Sequence, residues 1–153
     1  MFRGLSTVSL DAKGRLAIPS RYRDRLAESG HRELVLTINP LDRCLWLYPL
    51  PEWELIEVKL AQLPEFENRQ TRRTKQMLRG HAVDLEVDAQ GRVLLPHKHR
   101  EFAGLAKQVA VVGQGNKFEL WDEDAWNRQR DEWLAEVDHG ALEPSEALRR
   151  LAL

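Results

Sequence analysis

A duplication inside the chain constrains its fold more than any other feature. Asp11-Ala-Lys-Gly-Arg-Leu-Ala-Ile-Pro-Ser-Arg-Tyr-Arg23 lies against Asp88-Ala-Gln-Gly-Arg-Val-Leu-Leu-Pro-His-Lys-His-Arg100 at an offset of 77, and six of 13 positions are identical. Unrelated sequences would share roughly one. The upstream pairs Val8/Leu85 and Leu10/Val87 extend the match. Downstream the offset slips to 73, pairing Tyr48 with Trp121 and Trp53 with Trp126, so the second copy has lost about four loop residues. At 153 residues the chain is one compact unit made of two halves, each too small to stand alone.

Each copy reads as strand, turn, strand, short helix, strand, strand. Val8 and Leu10 alternate with polar neighbours, and Asp11-Ala-Lys-Gly14 supplies turn chemistry. A strand then resumes at Arg15, which predicts a hairpin with Gly14 free to take positive φ. Pro19 stops that strand, and Ser20 is placed to cap a helix over 21–28 with Tyr22 and Leu26 on one face. Leu34–Ile38, Cys44–Tyr48, Val109–Val112 and Lys117–Trp121 are β-rich runs. A longer helix follows each half. Trp53, Ile56, Leu60 and Leu63 recur after Pro51, and Trp126, Trp133 and Val137 recur after Asp122. Residues 68–79 predict a third long helix, with Arg69, Arg72, Arg73 and Arg79 on one side and Thr74, Met77 and Leu78 on the other. Residues 138–153 read as a less ordered tail in which Leu142, Leu148 and Leu151 dock weakly. The expected organisation is a first repeat over 5–52, connecting helices over 53–80, a second repeat over 81–124, and a C-terminal helix with an acidic tail over 125–153.

Charge separates along this organisation. The formal net charge of −1 argues at first against a nucleic-acid binder. Residues 1–25, however, carry six cations (Arg3, Lys13, Arg15, Arg21, Arg23, Arg25) against two acids, and residues 65–80 carry five against two. Residues 119–153 carry ten acids against four arginines. One basic face for an anionic partner is therefore available.

The Asp-x-x-Gly-Arg turn is the chemistry that both copies share: Asp11, Gly14 and Arg15 in the first, Asp88, Gly91 and Arg92 in the second. A structural reading has the Asp cap the turn and pair with the Arg, which stabilises little. A functional reading has the Asp orient an Arg whose planar fork bonds a guanine edge or a phosphate. Duplication and clustered cations favour the second.

Enzyme chemistry finds no convergent set. Gly113-Gln-Gly115 lacks the helix and the Lys-Ser/Thr of a phosphate-binding loop. Cys44, in an apolar β run, reads as a core thiol in a reducing compartment. His97-x-His99 lacks a metal ligand set and is Ser20-x-Tyr22 in the first copy. No catalytic residue, metal or cofactor is expected, nor a membrane span or secretory leader.

Several stretches together resemble the MraZ transcriptional regulators. They are Met1-Phe-Arg-Gly, Leu10–Pro19 with Arg21-Tyr-Arg23, Cys44–Trp53, Arg79-Gly-His81, Asp88-x-x-Gly-Arg92 and Gly113–Trp121. The likeness covers the chain up to the acidic tail. It implies a β-rich mixed α/β fold: two tandem AbrB-like swapped-hairpin repeats forming an intramolecular pseudo-dimer β-barrel (a double-split barrel) with flanking helices. It also implies a non-enzymatic, cytoplasmic, nucleoid-associated homo-oligomeric ring on double-stranded DNA. Such a ring acts chiefly as a repressor at direct repeats in its own promoter, upstream of the division and cell-wall gene cluster. The family's Asp-x-x-x-Arg contact maps to Asp11/Arg15 and Asp88/Arg92. Lys13, Arg21 and Arg23 are neighbouring candidates, Arg3 extends the same basic segment, and Gly14 and Gly91 support the motif. Gln90 replaces Lys13 in the second copy, so the first is expected to dominate. Trp53 and Trp126 are expected in oligomer contacts or in core packing. The competing reading is an AbrB-fold protein-interaction module, antitoxin-like or modulating another protein, served by the acidic segment and the Trp stripes.

Overall fold

A computed structural model describes residues 1–28, 32–64, 66, 68–140 and 143–151. Eight strands and six helices are seen among them. The first half holds β1 (Leu5–Ser9), β2 (Arg15–Ala17), α1 (Ser20–Glu28), β3 (Glu33–Ile38) and β4 (Leu45–Pro49). The second holds β5 (Val83–Glu86), β6 (Arg92–Leu94), α4 (His97–Phe102), β7 (Gln108–Gly113) and β8 (Phe118–Asp122). Helices α2 (Leu50–Ala61) and α3 (Arg69–Gly80) join them, and α5 (Glu123–Asp138) and α6 (Glu146–Arg150) follow.

The halves are interleaved through their strands. Six strands pair antiparallel in the order β1-β7-β8-β4-β3-β5, so each half's first strand lies beside the other half's third. β2 and β6 pair only with each other, as a separate ribbon. The expected hairpin across Asp11–Gly14 is therefore not a ladder: β1 and β2 share only the bridge Leu10–Leu16 and then diverge. The six-stranded sheet is open at β1 and β5, and strand pairing closes no barrel. The reason is local. Each ribbon strand has three residues, and Pro19 and Pro96, which lack an N–H, end them before a longer ladder can grow.

Period-2 alternation explains why β3 is buried over five successive residues. Leu34, Leu36 and Ile38 face the main core with Leu16, Tyr22, Leu26, Leu47, Val93, Val111, Phe118 and Leu120. Val35 faces the other side, where α2 and α3 cover it with Trp53, Leu60 and Leu78, beside Tyr48. Both faces of this strand are covered, so it reads as continuous rather than alternating hydrophobicity. Thr37, also fully buried, donates its Oγ1 proton to the Leu78 carbonyl at 2.7 Å and ties α3 to the sheet.

Several boundaries shift by one residue. α1 begins at Ser20, with the Pro19 carbonyl accepting the Tyr22 and Arg23 amides, so Pro19 rather than Ser20 is the flanking residue. α2 begins at Leu50 after Pro49. Asn68 caps α3 by accepting from the Gln70 and Thr71 amides. The inward face of α3 also differs from the sequence reading. Lys75 and Leu78 are its buried residues, whereas Met77 is 42% exposed. Its arginines do not share one side: Arg73 lines a hollow with Gln70, Thr74 and Met77, while Arg72 and Arg79 line another with Lys75 and Gln76.

The N-terminal segment is structured as well. Phe2 bridges Gly115 and stacks against Phe118 at 4.1 Å between ring centroids. Gly113 gives this segment room, since a Cβ there would stand 2.4 Å from the Arg3 nitrogen.

Residues 1–123 form one compact unit and 124–153 another. In the second, Trp126 and Trp133 meet edge to face at 6.3 Å, and α5 has no fully buried residue. The tail holds a further helix, α6, capped by Ser145, and Leu148 and Leu151 are exposed rather than docked. Leu142 lies outside the described residues. No helix among the described residues is long and apolar enough to cross a membrane.

Candidate nucleic-acid interface

Each Asp-x-x-Gly-Arg segment folds into the same turn. In the first, Asp11 Oδ1 accepts the Lys13 and Arg15 amides at 3.0 and 2.8 Å, and Oδ2 accepts Arg15 Nε at 2.7 Å. In the second, Asp88 Oδ1 accepts the Gln90 and Arg92 amides, both at 2.9 Å, and Oδ2 accepts Arg92 Nε at 3.1 Å. The carboxylate therefore does two tasks, closing the turn and clamping the inner edge of the guanidinium. These bonds favour the charged form. The Arg15 amide above all, with its side chain and the Lys13 amide, lowers the Asp11 pKa to about 2, and Asp88 is lowered by the equivalent bonds from Arg92 and Gln90.

Pairing of β2 with β6 brings the two turns together. Arg15 stands opposite Leu94 and Ala17 opposite Arg92, with Leu16 and Val93 between them and fully buried. Arg15 and Arg92 thus share the outward face as diagonal neighbours, whose backbones lie about 7–8 Å apart. Each arginine side chain is 31% exposed and each aspartate side chain 36%. With Nε held, the terminal nitrogens remain to meet an acceptor, in the geometry that suits phosphate oxygens or the O6/N7 edge of guanine.

The halves brace each other's turns. Ile18 N donates to the Gly91 carbonyl and Leu95 N to the Gly14 carbonyl, both at 2.9 Å. Arg23 of α1 lies against Gly91 and donates to the Gln90 carbonyl at 3.4 Å. Arg100 of α4 lies against Gly14 and donates to the Leu95 carbonyl at 3.1 Å. Both glycines need their lack of a side chain twice over. Their φ values are +86° and +75°, and a Cβ would come within 2.7 and 2.3 Å of the opposing arginine. Arg100, the repeat equivalent of Arg23, is one of the basic residues, with Lys98, that the sequence places just beyond the second motif.

The ribbon gathers Asp11, Lys13, Gly14, Arg15, Arg23, Asp88, Gly91, Arg92 and Arg100. It does not gather Arg3 and Arg21. The Arg21 guanidinium lies over the Tyr22 ring at 4.6 Å and donates to Ser6 Oγ at 2.7 Å. Arg3 is separated from the first turn by β1, roughly 16 Å of strand. Its carbonyl accepts the Tyr22 hydroxyl at 2.6 Å. The halves also differ at the turn tip. Lys13 is exposed in the first, whereas Gln90 Oε1 stands 3.5 Å from Arg92 Nη2 in the second.

Other polar groups are committed elsewhere. Cys44 is buried beside Asn39 Nδ2 at 3.3 Å, and burial pushes its thiol up to about 12, far from nucleophile territory. His99 is buried with Nε2 2.7 Å from the His81 carbonyl, and His97 faces Glu101 at 3.5 Å. Among the described residues no group of three or more His, Cys, Asp or Glu side chains is placed to hold a metal ion. Trp53 is 5% exposed, packed on Tyr48 at 5.4 Å, and Trp126 is half-buried.

Comparison with known proteins agrees with this doubled architecture. A family model described as "MraZ protein, putative antitoxin-like" matches twice, over residues 1–76 and 77–143. The chain is 55% identical to the transcriptional regulator MraZ of Thioalkalivibrio sulfidiphilus, over all of both chains. It is 53% and 54% identical to the proteins of the same name from Halorhodospira halophila and Pseudomonas aeruginosa, again over the full length of each. The chain belongs to the MraZ family.

Proposed function

We propose that this chain is a sequence-specific DNA-binding transcription regulator that reads double-stranded DNA with the outward face of the β2–β6 ribbon. One observation carries the reading: two identical Asp-clamped arginines sit on one short ribbon, diagonal to each other and flanked by Lys13, Arg23 and Arg100. A two-stranded ribbon fits the major groove, and a pre-oriented guanidinium loses less entropy when it bonds a base edge. The relatives' name as transcriptional regulators supports the same role.

The finer reading is that the two repeats, over 5–52 and 81–124, act as an AbrB-like pseudo-dimer. The first half dominates, through Arg15 and Lys13, because Gln90 partly occupies Arg92. The chain works as a cytoplasmic, nucleoid-associated homo-oligomeric ring, chiefly as a repressor at direct repeats in its own promoter upstream of the division and cell-wall genes. Linked weak sites then give avidity when DNA repeats match the subunit spacing. No catalytic step enters this role. Arg15→Ala is expected to reduce affinity for the region upstream of the protein's own gene by about 5- to 150-fold, corresponding to about 1–3 kcal/mol for removal of a bidentate pair, with the melting profile unchanged. Wild-type affinity for that variant in a gel-shift titration overturns the assignment of Arg15.

A further inference from the structure

We propose that Arg43, Arg73 and Lys98 form a second cationic strip, built around α4 and without a counterpart around α1, that follows the DNA backbone beyond the ribbon. The inference rests on the DNA-binding reading above and adds to it a set of phosphate contacts with a defined direction.

The strip follows from where the two halves stop being equivalent. Lys98 occupies the repeat position of Arg21, and Phe102 that of Arg25. In the first half both positions are spent: Arg21 on Ser6 of β1 and Tyr22 of its own helix, and Arg25 on the N-terminal segment through a 2.7 Å bond to the Met1 carbonyl. No such segment precedes the second half, and α3 precedes it instead. Lys98 is therefore exposed, with its charge uncommitted among the described residues. Phe102 is free to carry Arg43, whose guanidinium lies 4.7 Å over its ring. That stacking holds a loop arginine in a fixed place at the surface.

Two shallow hollows, each about 390 Å³, meet at this stacked pair. Arg43 and Phe102 line one with Lys98 and Glu101, and the other with Gln70, Arg73 and Met77. Arg69, one turn before Arg73 on α3, continues the same side. The acids along the strip are Asp42 and Glu101, and Glu101 is drawn toward His97 at 3.5 Å.

The strip leads away from the ribbon, since Lys98 and Arg100 are two residues apart on α4 and do not share a face. Lys98 stands six residues after Arg92, across Pro96, and Arg100 of the same helix lies on the Gly14 turn. Cations spread along open hollows, without converging buried polar groups, suit a linear polyanion rather than a small ligand. They would position the duplex without reading sequence, which is left to Arg15 and Arg92.

The test is a salt titration of the full chain on two duplexes of equal length, one from upstream of its own gene and one scrambled. For Arg43→Gln/Arg73→Gln/Lys98→Gln the slope of log K against log salt is expected to shrink by about 2–3, at ~0.9 for each phosphate no longer neutralised. Affinity should fall equally for both duplexes, leaving their ratio unchanged. Arg43 also stacks on Phe102, so Lys98→Gln alone serves as the variant without structural cost, with an expected slope change of about 0.9. Wild-type binding together with an unchanged slope in both variants overturns the strip and leaves the ribbon reading intact. An altered assembly mass with an unchanged slope overturns it too, and assigns the patch to a protein interface. Wild-type protein that binds neither duplex overturns both readings.

Discussion

At the scale of single residues, Asp11 and Asp88 show how a weak surface ion pair becomes a positioning device. An exposed Asp–Arg pair contributes little by itself. Here the carboxylate also closes the turn through two amides, so the guanidinium inherits the rigidity of the backbone. The pKa of Asp11, lowered to about 2, fixes the pH window. A carboxylate whose folded pKa lies below the unfolded value near 3.9 contributes its stabilisation fully above that value and loses it as pH falls through the folded one. The turn is therefore expected to stay intact from neutral pH down to about 4 and to open only between about 4 and 2. Carbon-detected NMR titration of the Asp11 and Asp88 carboxyls checks this; midpoints near 4 for both would contradict the clamp.

At the scale of elements, the ribbon is small but deeply anchored. β2 and β6 have three residues each, and their central side chains, Leu16 and Val93, are fully buried beside Ile18 and Leu95. The reading face is the back of the core, so its geometry depends on packing rather than on ladder length. Leu16→Ala is expected to cost about 2–5 kcal/mol by urea denaturation and to weaken DNA binding without touching a charge. A loss under about 1 kcal/mol, well below the range for a buried leucine, would show that the ribbon is held by its turns alone. α3 teaches a related point. Its four arginines look like one basic face at 100° per residue, yet with Lys75 and Leu78 buried, Arg72 and Arg79 line one hollow and Arg73 another. Lys75 can be inward because a long alkyl stem packs while its charge stays near polar neighbours in the same cleft, Glu57 and Asp84.

At the scale of the whole molecule, a net charge of −1 conceals a division of labour. The clustered cations lie on the unit of residues 1–123, while the unit of residues 124–153 carries seven acids against four arginines. On α5, Trp133, Leu134 and Val137 are 45%, 52% and 57% exposed. Of the stripe that follows the first half, Trp53 and Leu60 are covered, at 5% and 6%, and Leu63 is 41% exposed. Uncovered apolar surface of this kind is suited to a contact between molecules. If the chain assembles through it, Trp133→Ser/Val137→Ser lowers the particle mass in sedimentation while far-UV circular dichroism is retained. An unchanged mass would place the assembly interface elsewhere.

The order of elements, the positions of the strands and α1, and the Asp-x-x-Gly-Arg turn were legible in the amino-acid sequence. Each depends on local rules: period-2 alternation, Pro19 and Pro96 as stops, and an Asp and a Gly at fixed spacing. Those rules set the backbone of a segment but not its partner, since a β ladder bonds through main-chain groups that every residue shares. Tertiary structure decided that β1 joins β7 and β5 joins β3, where the sequence suggested hairpins. It also decided that Arg23 and Arg100 cross to the opposite turns, that Arg21 is spent on Ser6 and Tyr22, and that Lys75 is buried. The physical reason is the duplication itself. Two homologous halves offer equivalent edges to themselves and to each other, and burial of both faces of a shared sheet selects among pairings that local chemistry leaves equal.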